Sequence, residues 1–357
     1  MDHHETNSLA QLGWRPFYSQ QLTLEDLDES FPARVSAVQR SLVTVLAETG
    51  EQQVTLPQRL RPDGVTPNIT VGDWVLVQGE TAQVVRLLER QSLIARMSAG
   101  DEPVLQSIAA NVDTLFVVTS CNADFNPSRL ERYLAVAFEA QVTPVIVLSK
   151  VDLCDDPQSY VAAAQAASPD VSVMAVNGTD PADSLTCLRP WLDVGQTIAF
   201  VGSSGVGKST LINALLGAGK QETREIRPTD EKGRHTTTAR YLLQARCGAW
   251  LIDTPGMREL KIGAAQAGLG RTFVDIESLA TECRFRDCSH QNESGCTVRS
   301  AMEDGRLDPR RLESYLKLVR EAERAASPAW RRRQKQRQFG RIARAAQRQR
   351  RKDTGRD

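Results

Sequence analysis

A glycine-rich loop in the second half of the chain has residue types and spacing suited to phosphate chemistry. It reads Gly202-Ser-Ser-Gly-Val-Gly-Lys-Ser-Thr210 and fits the pattern G-x-x-x-x-G-K-S. In such a loop, backbone N–H groups converge on phosphate oxygens, the lysine reaches the β- and γ-phosphates, and the next hydroxyl binds Mg²⁺. We therefore predict a nucleotide site in which Lys208 also assists catalysis and Ser209 is a Mg²⁺ ligand. The predicted binding residues are Gly202, Ser203, Ser204, Gly205, Val206, Gly207, Lys208, Ser209 and Thr210.

The residues on either side of this loop have the patterns of a strand and a helix. Residues 197–201 are a short apolar run that suits a buried parallel strand, and residues 209–216 carry apolar side chains at helical spacing. Strand, glycine turn and helix are the context that a phosphate loop requires, and the helix N-terminus adds its dipole. The alternative is a glycine turn before an ordinary helix.

Two segments after the loop suit nucleotide switches. Residues 250–256 are an apolar strand followed by D-x-x-G, in which Asp253 would hold Mg²⁺ through water and the Gly256 N–H would sense the γ-phosphate. Residues 232–238 are polar and unpatterned, and Thr236 or Thr237 would complete the Mg²⁺ shell. Alone, D-x-x-G is a common turn, and residues 232–238 would also suit a simple β-hairpin loop.

The element that reads the base lies upstream of the phosphate loop. The pattern N/T-K-x-D is absent after Asp253, whereas Thr143-Pro-Val-Ile-Val-Leu-Ser-Lys-Val-Asp-Leu153 delivers Ser149, Lys150 and Asp152 from a buried strand. Lys150 would stack along a base, and Asp152 would accept hydrogen bonds from guanine N1–H and its 2-amino group, a donor pair that adenine lacks. A strand at residues 171–176 then ends at Asn177-Gly178, where the loop supporting the base O6 would lie.

The order of these motifs along the chain is unusual. The chain carries, in this order, the base motif, the base loop, the phosphate loop and the two switch segments. This is the order expected if the ends of a GTPase sequence were joined and the chain opened at another point. The site is therefore predicted to be circularly permuted. The motif-bearing strands can still form one parallel sheet, with all the loops at its carboxyl edge, where doubly wound sheets bind ligands.

A cysteine cluster follows the nucleotide motifs. Residues 283–296 have the pattern C-x4-C-x-H-x5-C, which supplies the thiolates of Cys283, Cys288 and Cys296 and the imidazole of His290. This is a tetrahedral Cys3His zinc set. Because the shell is full and no general base accompanies it, the zinc would be structural.

Short strand patterns fill the first part of the chain. Between residues 31 and 90, alternating or β-branched runs at 33–38, 42–46, 73–77 and 82–85 are separated by glycines, which is typical of a small barrel. An oligonucleotide-binding barrel is one candidate, and a purely structural barrel fits the pattern equally well.

The charges are unevenly distributed over the 357 residues. Residues 331–357 hold twelve Lys or Arg against two Asp, so the neutral total leaves the first 330 residues at minus ten. A run this basic favours phosphate backbones, and we predict RNA contacts by Arg331, Arg332, Arg333, Lys335 and Arg337. A solvated tail without a partner is the alternative. No apolar run reaches about 18 residues and the first residues lack a secretory signal, so we expect a cytoplasmic protein.

Taken together, these motifs resemble the ribosome-small-subunit-dependent GTPase A family over about residues 10 to 325. Further stretches that look like this family are Leu12-Gly-Trp14, Ala110-Asn-Val-Asp113, Asp124-Phe-Asn126, Arg129-Leu-Glu-Arg-Tyr133, Gly233-Arg-His-Thr-Thr-Thr238 and Gly256-Met-Arg-Glu-Leu260. The resemblance implies a multidomain fold: an N-terminal extension (1–30), an OB-like β-barrel (31–97), a circularly permuted α/β P-loop GTPase domain (98–268), an α-rich zinc-binding domain (269–325) and a basic tail (326–357).

The resemblance also implies a function. Such a protein hydrolyses GTP to GDP and phosphate with Mg²⁺, carries one structural Zn²⁺, and acts as a late maturation factor of the small ribosomal subunit, binding its rRNA and being stimulated by the subunit. Departures from the family are Ser149, where Asn is usual, and Asn177-Gly178, where Ser-Ala is usual. No repeat or heptad pattern indicates an oligomer, so we expect a monomer.

The hydrolytic residue is the weakest point of the pattern. Met257 stands where many GTPases have a water-orienting Gln after D-x-x-G, so intrinsic turnover should be slow. His235 is the remaining polar candidate, and the resemblance favours it as the catalytic residue; a loop histidine that only packs on the subunit is the alternative. Two other functions remain open: an RNA-binding module with a passive nucleotide pocket, and a membrane-surface GTPase that uses the tail on anionic lipids.

Overall fold

The computed structural model describes residues 8–39, 42–60, 69–97, 105–217, 240–253 and 266–326. Within these ranges the strands are β1 (Ser30–Val38), β2 (Leu42–Ala47), β3 (Gly50–Thr55), β4 (Trp74–Gln78), β5 (Gln83–Leu87), β6 (Leu93–Met97), β7 (Leu105–Ala110), β8 (Thr114–Ser120), β9 (Thr143–Ser149), β10 (Ser172–Ala175), β11 (Thr197–Val201), β12 (Tyr241–Gln244) and β13 (Trp250–Asp253). The α-helices are α1 (Pro16–Ser19), α2 (Leu24–Glu29), α3 (Pro127–Glu139), α4 (Pro157–Ala167), α5 (Pro181–Leu188), α6 (Lys208–Leu216), α7 (Gln266–Thr272), α8 (Val274–Ala280), α9 (Thr297–Glu303) and α10 (Pro309–Ala326).

Strands β1 to β5 close into a small barrel. The pairs β1–β2, β2–β3, β4–β5 and β1–β4 are antiparallel, and a single parallel pair, Thr55↔Gln83, joins β3 to β5. Buried aliphatic side chains fill the interior, among them Val35, Val45 and Val75. The barrel predicted from the alternating runs is therefore present, although β3 was not anticipated because its Glu51-Gln-Gln53 segment is polar.

The second architectural unit is a twisted parallel sheet covered by helices. Its strands lie in the order β10-β9-β8-β11-β13, all parallel, as the motif-bearing strands were predicted to be, and β12 pairs antiparallel with β13. Alternate residues of β8 supply opposite faces: Leu115 and Val117 pack in one apolar cluster, Phe116 and Val118 in another. Helix α3 covers the first face and α6 the second.

Helices α3, α4 and α5 begin with the same local signal. Each has an Asn or Asp at the N-cap followed by Pro, and the cap side chain accepts a hydrogen bond from a backbone N–H of the first turn. The cap satisfies an amide that the helix leaves free, and proline suits the first helical position because its N–H would be unpaired there. Because α3, α4 and α5 follow the parallel strands β8, β9 and β10 along the chain, they start just after the carboxyl edge of the sheet, where the predicted site lies.

The barrel and the central sheet are joined. Strand β1 pairs with β12 at Ala37↔Tyr241, so one sheet runs through both units. Arg34 on β1 is 1% exposed and donates to the Leu12 carbonyl at 2.5 Å and to Thr197 Oγ1 at 2.6 Å. Burial lowers the pKa of Arg34 to about 10, which still leaves a cation at neutral pH. The barrel is thereby fastened to the first residue of β11, the strand that leads into the phosphate loop.

The C-terminal helices pack against α3. Gly268 of α7 lies so close to this helix that a Cβ would come within 2.0 Å of the Ala135 carbonyl oxygen. Arg310 and Arg311 of α10 both bond the fully buried carboxylate of Glu131. No helix among the described residues has the length and hydropathy to cross a membrane.

Two elements cross the predicted domain boundaries. Strand β6 pairs with β7 in a separate small sheet on either side of the 97/98 boundary, and α7 spans 268/269. The five segments 1–30, 31–97, 98–268, 269–325 and 326–357 stay predictions. Most of residues 326–357 lie outside the described residues.

Candidate functional site

The predicted nucleotide motifs meet at one edge of the central sheet. Strands β8, β9, β10, β11 and β13 run in the same direction, so their carboxyl ends share that edge. The phosphate loop follows β11, and the base motif follows β9. Strand β8 lies between β9 and β11 in the sheet.

The phosphate loop adopts a conformation that its glycines permit. Gly202, Gly205 and Gly207 all have positive φ, at 150°, 79° and 94°. A Cβ at Gly202 would lie 2.2 Å from the Val118 carbonyl oxygen, so only glycine fits there. Gly207 is the N-cap of α6, whose first backbone N–H groups and dipole face the loop. Ser209 and Thr210 are exposed at this helix end, as Mg²⁺ and phosphate contacts require.

The ammonium of Lys208 lies against the first residues of the loop. Its Nζ donates to the Gly202 carbonyl at 2.7 Å and to the Ser203 carbonyl at 2.6 Å. An ammonium group has three donors and no acceptor, so carbonyl oxygens suit it as partners. The lysine is thus held over the mouth of the loop.

The base motif turns sharply after β9. Lys150 is in the left-handed region with φ 59°, and residues Val151–Leu153 then form one 3₁₀ turn. A left-handed lysine is strained relative to glycine, and such strain is concentrated at binding sites. The turn leaves Lys150 half-buried and Asp152 exposed at the sheet edge. Asp152 is therefore free to face a base from solvent.

Ser149 ties the base motif to the phosphate loop. Its side chain is buried, and its Oγ donates to the Val206 carbonyl at 2.5 Å, with the Thr119 carbonyl at 3.2 Å as a second acceptor. A hydroxyl has one proton to donate, so the short bond to Val206 takes it. The predicted role of Ser149 in GTP binding is thus accompanied by a contact that sequence reasoning did not foresee: it connects the two parts of the site directly.

Asp124 is a site residue that sequence reasoning did not assign. Its carboxylate accepts a hydrogen bond from Ser203 Oγ and pairs with Arg129 Nη1 at 3.0 Å. The hydrogen bond from Ser203 and the pairing with Arg129 hold the pKa of Asp124 below its usual range, so the group is an anion. In the sequence, Asp124 is marked only by the stretch Asp124-Phe-Asn126, which resembles the family and by itself indicates no role.

The base loop after β10 is held by its own polar groups. Asn177 Oδ1 accepts from Thr179 N at 3.0 Å, and Asn177 N donates to Asp183 Oδ2 at 2.8 Å. A Cβ at Gly178 would meet nothing within 4 Å, so the loop is open there. This loop lies beside the base motif, because β10 pairs with β9.

The switch residues are only partly described. Asp253, the predicted Mg²⁺ partner, is the last residue of β13, which pairs with β11. Lying outside the described residues are Gly256, Met257, His235, Thr236 and Thr237, together with the basic residues Arg331, Arg332, Arg333, Lys335 and Arg337.

The predicted zinc ligands come together. The ligand atoms of Cys283, Cys288, His290 and Cys296 all lie within 4.8 Å of one another. His290 Nδ1 is 3.5 Å from Cys296 Sγ and 3.7 Å from Cys283 Sγ, and these two sulfurs are 4.0 Å apart. A tetrahedral zinc shell has edges of about 3.5 to 3.8 Å for Zn–N near 2.0 Å and Zn–S near 2.3 Å. The cluster is therefore compatible with a zinc site.

The chain around the cluster is folded to hold these ligands. Arg284 N donates to the Gly295 carbonyl at 3.1 Å and closes the loop, and Glu293 accepts from Ser289 N at 3.0 Å. Burial lowers the pKa of His290, which favours the neutral imidazole that a metal requires. Cys296 occupies the N-cap position of α9, so the backbone of one ligand is fixed at the start of a helix.

A phosphate loop on β11, a guanine-type motif on the upstream strand β9, and their direct contact define a circularly permuted P-loop GTPase. The RsgA GTPase family model matches residues 87–263. The small ribosomal subunit biogenesis GTPase RsgA 2 of Vibrio parahaemolyticus is 50% identical over 339 residues, covering 95% of this chain and 92% of that protein. The chain belongs to the RsgA GTPase family.

Two solved structures support this assignment. The crystal structure of YjeQ from Thermotoga maritima is 26% identical with a TM-score of 0.59, covering 82% of this chain and 98% of that one. The crystal structure of YloQ, described as a circularly permuted GTPase, is 25% identical with a TM-score of 0.57, covering 84% and 97%. The predicted fold class, with its permuted GTPase domain, is confirmed.

Proposed function

We propose that this protein hydrolyses GTP to GDP and phosphate while bound to the small ribosomal subunit, and that it acts as a late maturation factor of that subunit. The observation that carries the chemistry is the contact of Ser149 with Val206, which joins the base motif to the phosphate loop. The relative from Vibrio parahaemolyticus, named as a small ribosomal subunit biogenesis GTPase, supports the partner.

Guanine recognition is assigned to the turn after β9. Asp152 would accept from guanine N1–H and the 2-amino group, and Lys150 would lie along the base. Because a site with a matched hydrogen-bonding group rejects a ligand that lacks it, Asp152 would discriminate against adenine. Ser149 would act mainly by keeping this turn in register with the phosphate loop.

Phosphate binding is assigned to the loop amides, to Lys208 and to the start of α6. Mg²⁺, when bound, would neutralise charge on the β- and γ-phosphates. Ser209, exposed at the first turn of α6, fits this ion as an oxygen donor, and Asp253 at the end of β13 fits as a partner through water. Thr236 or Thr237 and the Gly256 N–H would respond to the γ-phosphate.

Hydrolysis needs an oriented water, and the chain has Met257 where a glutamine would serve. A thioether accepts hydrogen bonds only weakly, so turnover by the isolated protein should be slow. His235 is the candidate that would orient or deprotonate the water when the protein is bound to the subunit. His235→Ala should then lose subunit-stimulated turnover while still binding GTP.

The C-terminal cluster is proposed to hold one structural Zn²⁺. Four protein ligands complete a tetrahedral shell, so no position is left for a reacting water. The metal would instead hold the segment between α8 and α9. The barrel and the basic residues 331–337 are proposed to contact rRNA, mainly through phosphates for the basic residues. The protein would act in the cytoplasm, as a monomer.

The experiment is turnover of GTP and of ATP by the purified protein, alone and with small or large ribosomal subunits, at one fixed salt concentration. Stimulation confined to GTP and the small subunit supports the proposal. Equal turnover with and without subunits contradicts it. Nucleotide binding without turnover in any condition would indicate an RNA-binding protein with a passive pocket, and flotation with anionic vesicles would indicate a membrane-surface GTPase.

A further inference from the structure

Asp124 lies where the start of α3 meets the phosphate loop. It is in the turn between β8 and α3, and β8 pairs with β11, so this turn lies beside the first residues of the loop. Ser203, the second residue of the loop, donates its hydroxyl proton to Asp124 Oδ2. The two residues are 79 positions apart in the chain, so only the fold brings them together.

We propose that Asp124 is a positioning residue of the phosphate loop: through the Ser203 hydroxyl, it holds the first turn of the loop in the shape that receives the β-phosphate. The inference rests on the proposed function, because it assigns a further residue to the same nucleotide site. It adds a contact outside the G-x-x-x-x-G-K-S pattern.

The carboxylate is itself held in place. Both oxygens accept from Arg129 Nη1, at 3.1 and 3.0 Å, and Asp124 N donates to Asn122 Oδ1 at 3.0 Å. The N-cap of α3, Asn126, accepts from Arg129 N at 3.0 Å, so the arginine belongs to a fixed helix turn. The acceptor for Ser203 is therefore anchored to α3 rather than to a free loop.

A direct role in phosphate binding does not suit an anion, because a carboxylate repels phosphate. Arg129 offsets that charge, which leaves the bond to Ser203 as the useful contact. The backbone carbonyl of Ser203 accepts a second hydrogen bond, from Lys208 Nζ at 2.6 Å. Ser203 is thus held from both sides, by Asp124 through its hydroxyl and by Lys208 through its carbonyl.

This arrangement predicts a particular pattern of effects. The loop receives phosphates that GDP and GTP share, so loss of the Asp124–Ser203 bond should weaken both nucleotides equally. Base choice should not change, since Asp152 lies in the turn after a different strand, β9. KM for GTP should rise while kcat at saturating GTP with small subunits stays within about twofold, the signature of lost uniform binding.

The test is a double-mutant cycle on the full-length protein, read as Kd for fluorescent GDP and for a fluorescent non-hydrolysable GTP analogue. Asp124→Ala and Ser203→Ala should each raise both Kd values about tenfold, the lower end of what a hydrogen bond to a charged group contributes. The double variant should be no weaker than either single one. Asp124→Asn keeps an acceptor for Ser203 without the charge and should recover part of the loss.

The matched control is Asp193→Ala, which removes an exposed ion pair with Arg189 just before β11, at the opposite edge of the sheet, and should leave both Kd values unchanged. Additive losses in the double variant, or full affinity in Ser203→Ala, would overturn the inference. Should Asp124→Ala fail to fold, Ser203→Ala and Asp124→Asn still decide the question. If the wild type shows no preference for guanine nucleotides, or no stimulation by the small subunit, the proposed function is contradicted instead. The ratio of each variant's Kd to the wild-type Kd still tests the role of Asp124.

Discussion

Replacing Glu131 with alanine should loosen the packing of the C-terminal helices on the GTPase domain. Glu131 is fully buried on α3, and its carboxylate accepts from Arg310 Nη2 and from Arg311 Nη1, both at 3.1 Å. Arg311 is 8% exposed at its side chain and also pairs with Asp275 at 2.7 Å. One carboxylate therefore serves two arginines of α10.

The loss of stability in Glu131→Ala depends on the partners that Arg310 and Arg311 retain. Removing one partner of a buried ion pair costs about 3 to 5 kcal/mol when the remaining charge is uncompensated. Arg310 is 37% exposed and regains water, whereas Arg311 retains Asp275 and the Ala167 carbonyl at 2.8 Å. We therefore expect about 3 kcal/mol for Glu131→Ala, at the low end of that range. Glu131→Gln keeps the shape and an acceptor and should cost roughly half as much.

The assay is urea unfolding combined with hydrogen exchange of the amides in α3 and α10. The matched control is Glu321→Ala, which breaks a bond of the same two helices, Arg132 to Glu321 at 2.6 Å, where both side chains are more than 20% exposed. That exposed pair should contribute no more than about 1 kcal/mol. A cost under about 1 kcal/mol for Glu131→Ala, or an equal cost for Glu321→Ala, would show that the buried carboxylate does not hold α10 on α3.

Further predictions concern the nucleotide site and the cysteine cluster. Gly202→Ala should abolish GDP binding in equilibrium titrations, because its Cβ would lie 2.2 Å from the Val118 carbonyl oxygen at a φ of 150°; retained affinity would contradict this. Ser149→Ala should weaken GDP and GTP alike by about fivefold without changing the preference for guanine over adenine, since it removes the bond to Val206; a changed preference would show that the hydroxyl reads the base. Cys296→Ser should lose about one equivalent of zinc by elemental analysis and the exchange protection of α9, and zinc content equal to the wild type would exclude Cys296 as a ligand.

Local patterns in the sequence were sufficient to predict those parts of the site whose residues lie close together along the chain. The phosphate loop and the ligands from Cys283 to Cys296 each lie within fourteen residues or fewer, and their spacing alone reflects the geometry they adopt. The buried strands β9 and β11 were predictable for the same reason, because each is a continuous apolar run next to a motif. The barrel was predictable as a class, since alternating runs with glycine breaks recur through its length.

Contacts between distant residues were not predictable. Asp124 meets Ser203 only because β8 and β11 are neighbours, and Glu131 looks like an ordinary surface acid of a helix until Arg310, 179 positions later, is placed beside it. The pairing of β1 with β12 depends likewise on how two units dock. Ser149 shows the same limit: its residue type suggested a weaker base contact, whereas its burial directs the hydroxyl at the Val206 carbonyl.

The base motif that follows β9 and the phosphate loop that follows β11 are proposed to form one permuted guanine site. The most direct test is equilibrium binding of GTP, XTP and ATP to the wild type and to Asp152→Asn. Xanthine offers an acceptor where guanine has its 2-amino donor, so the change from carboxylate to amide should reverse the hydrogen-bond match. We expect the wild type to prefer GTP and the variant to prefer XTP, with ATP weak in both. Unchanged nucleotide preference in Asp152→Asn would contradict this expectation.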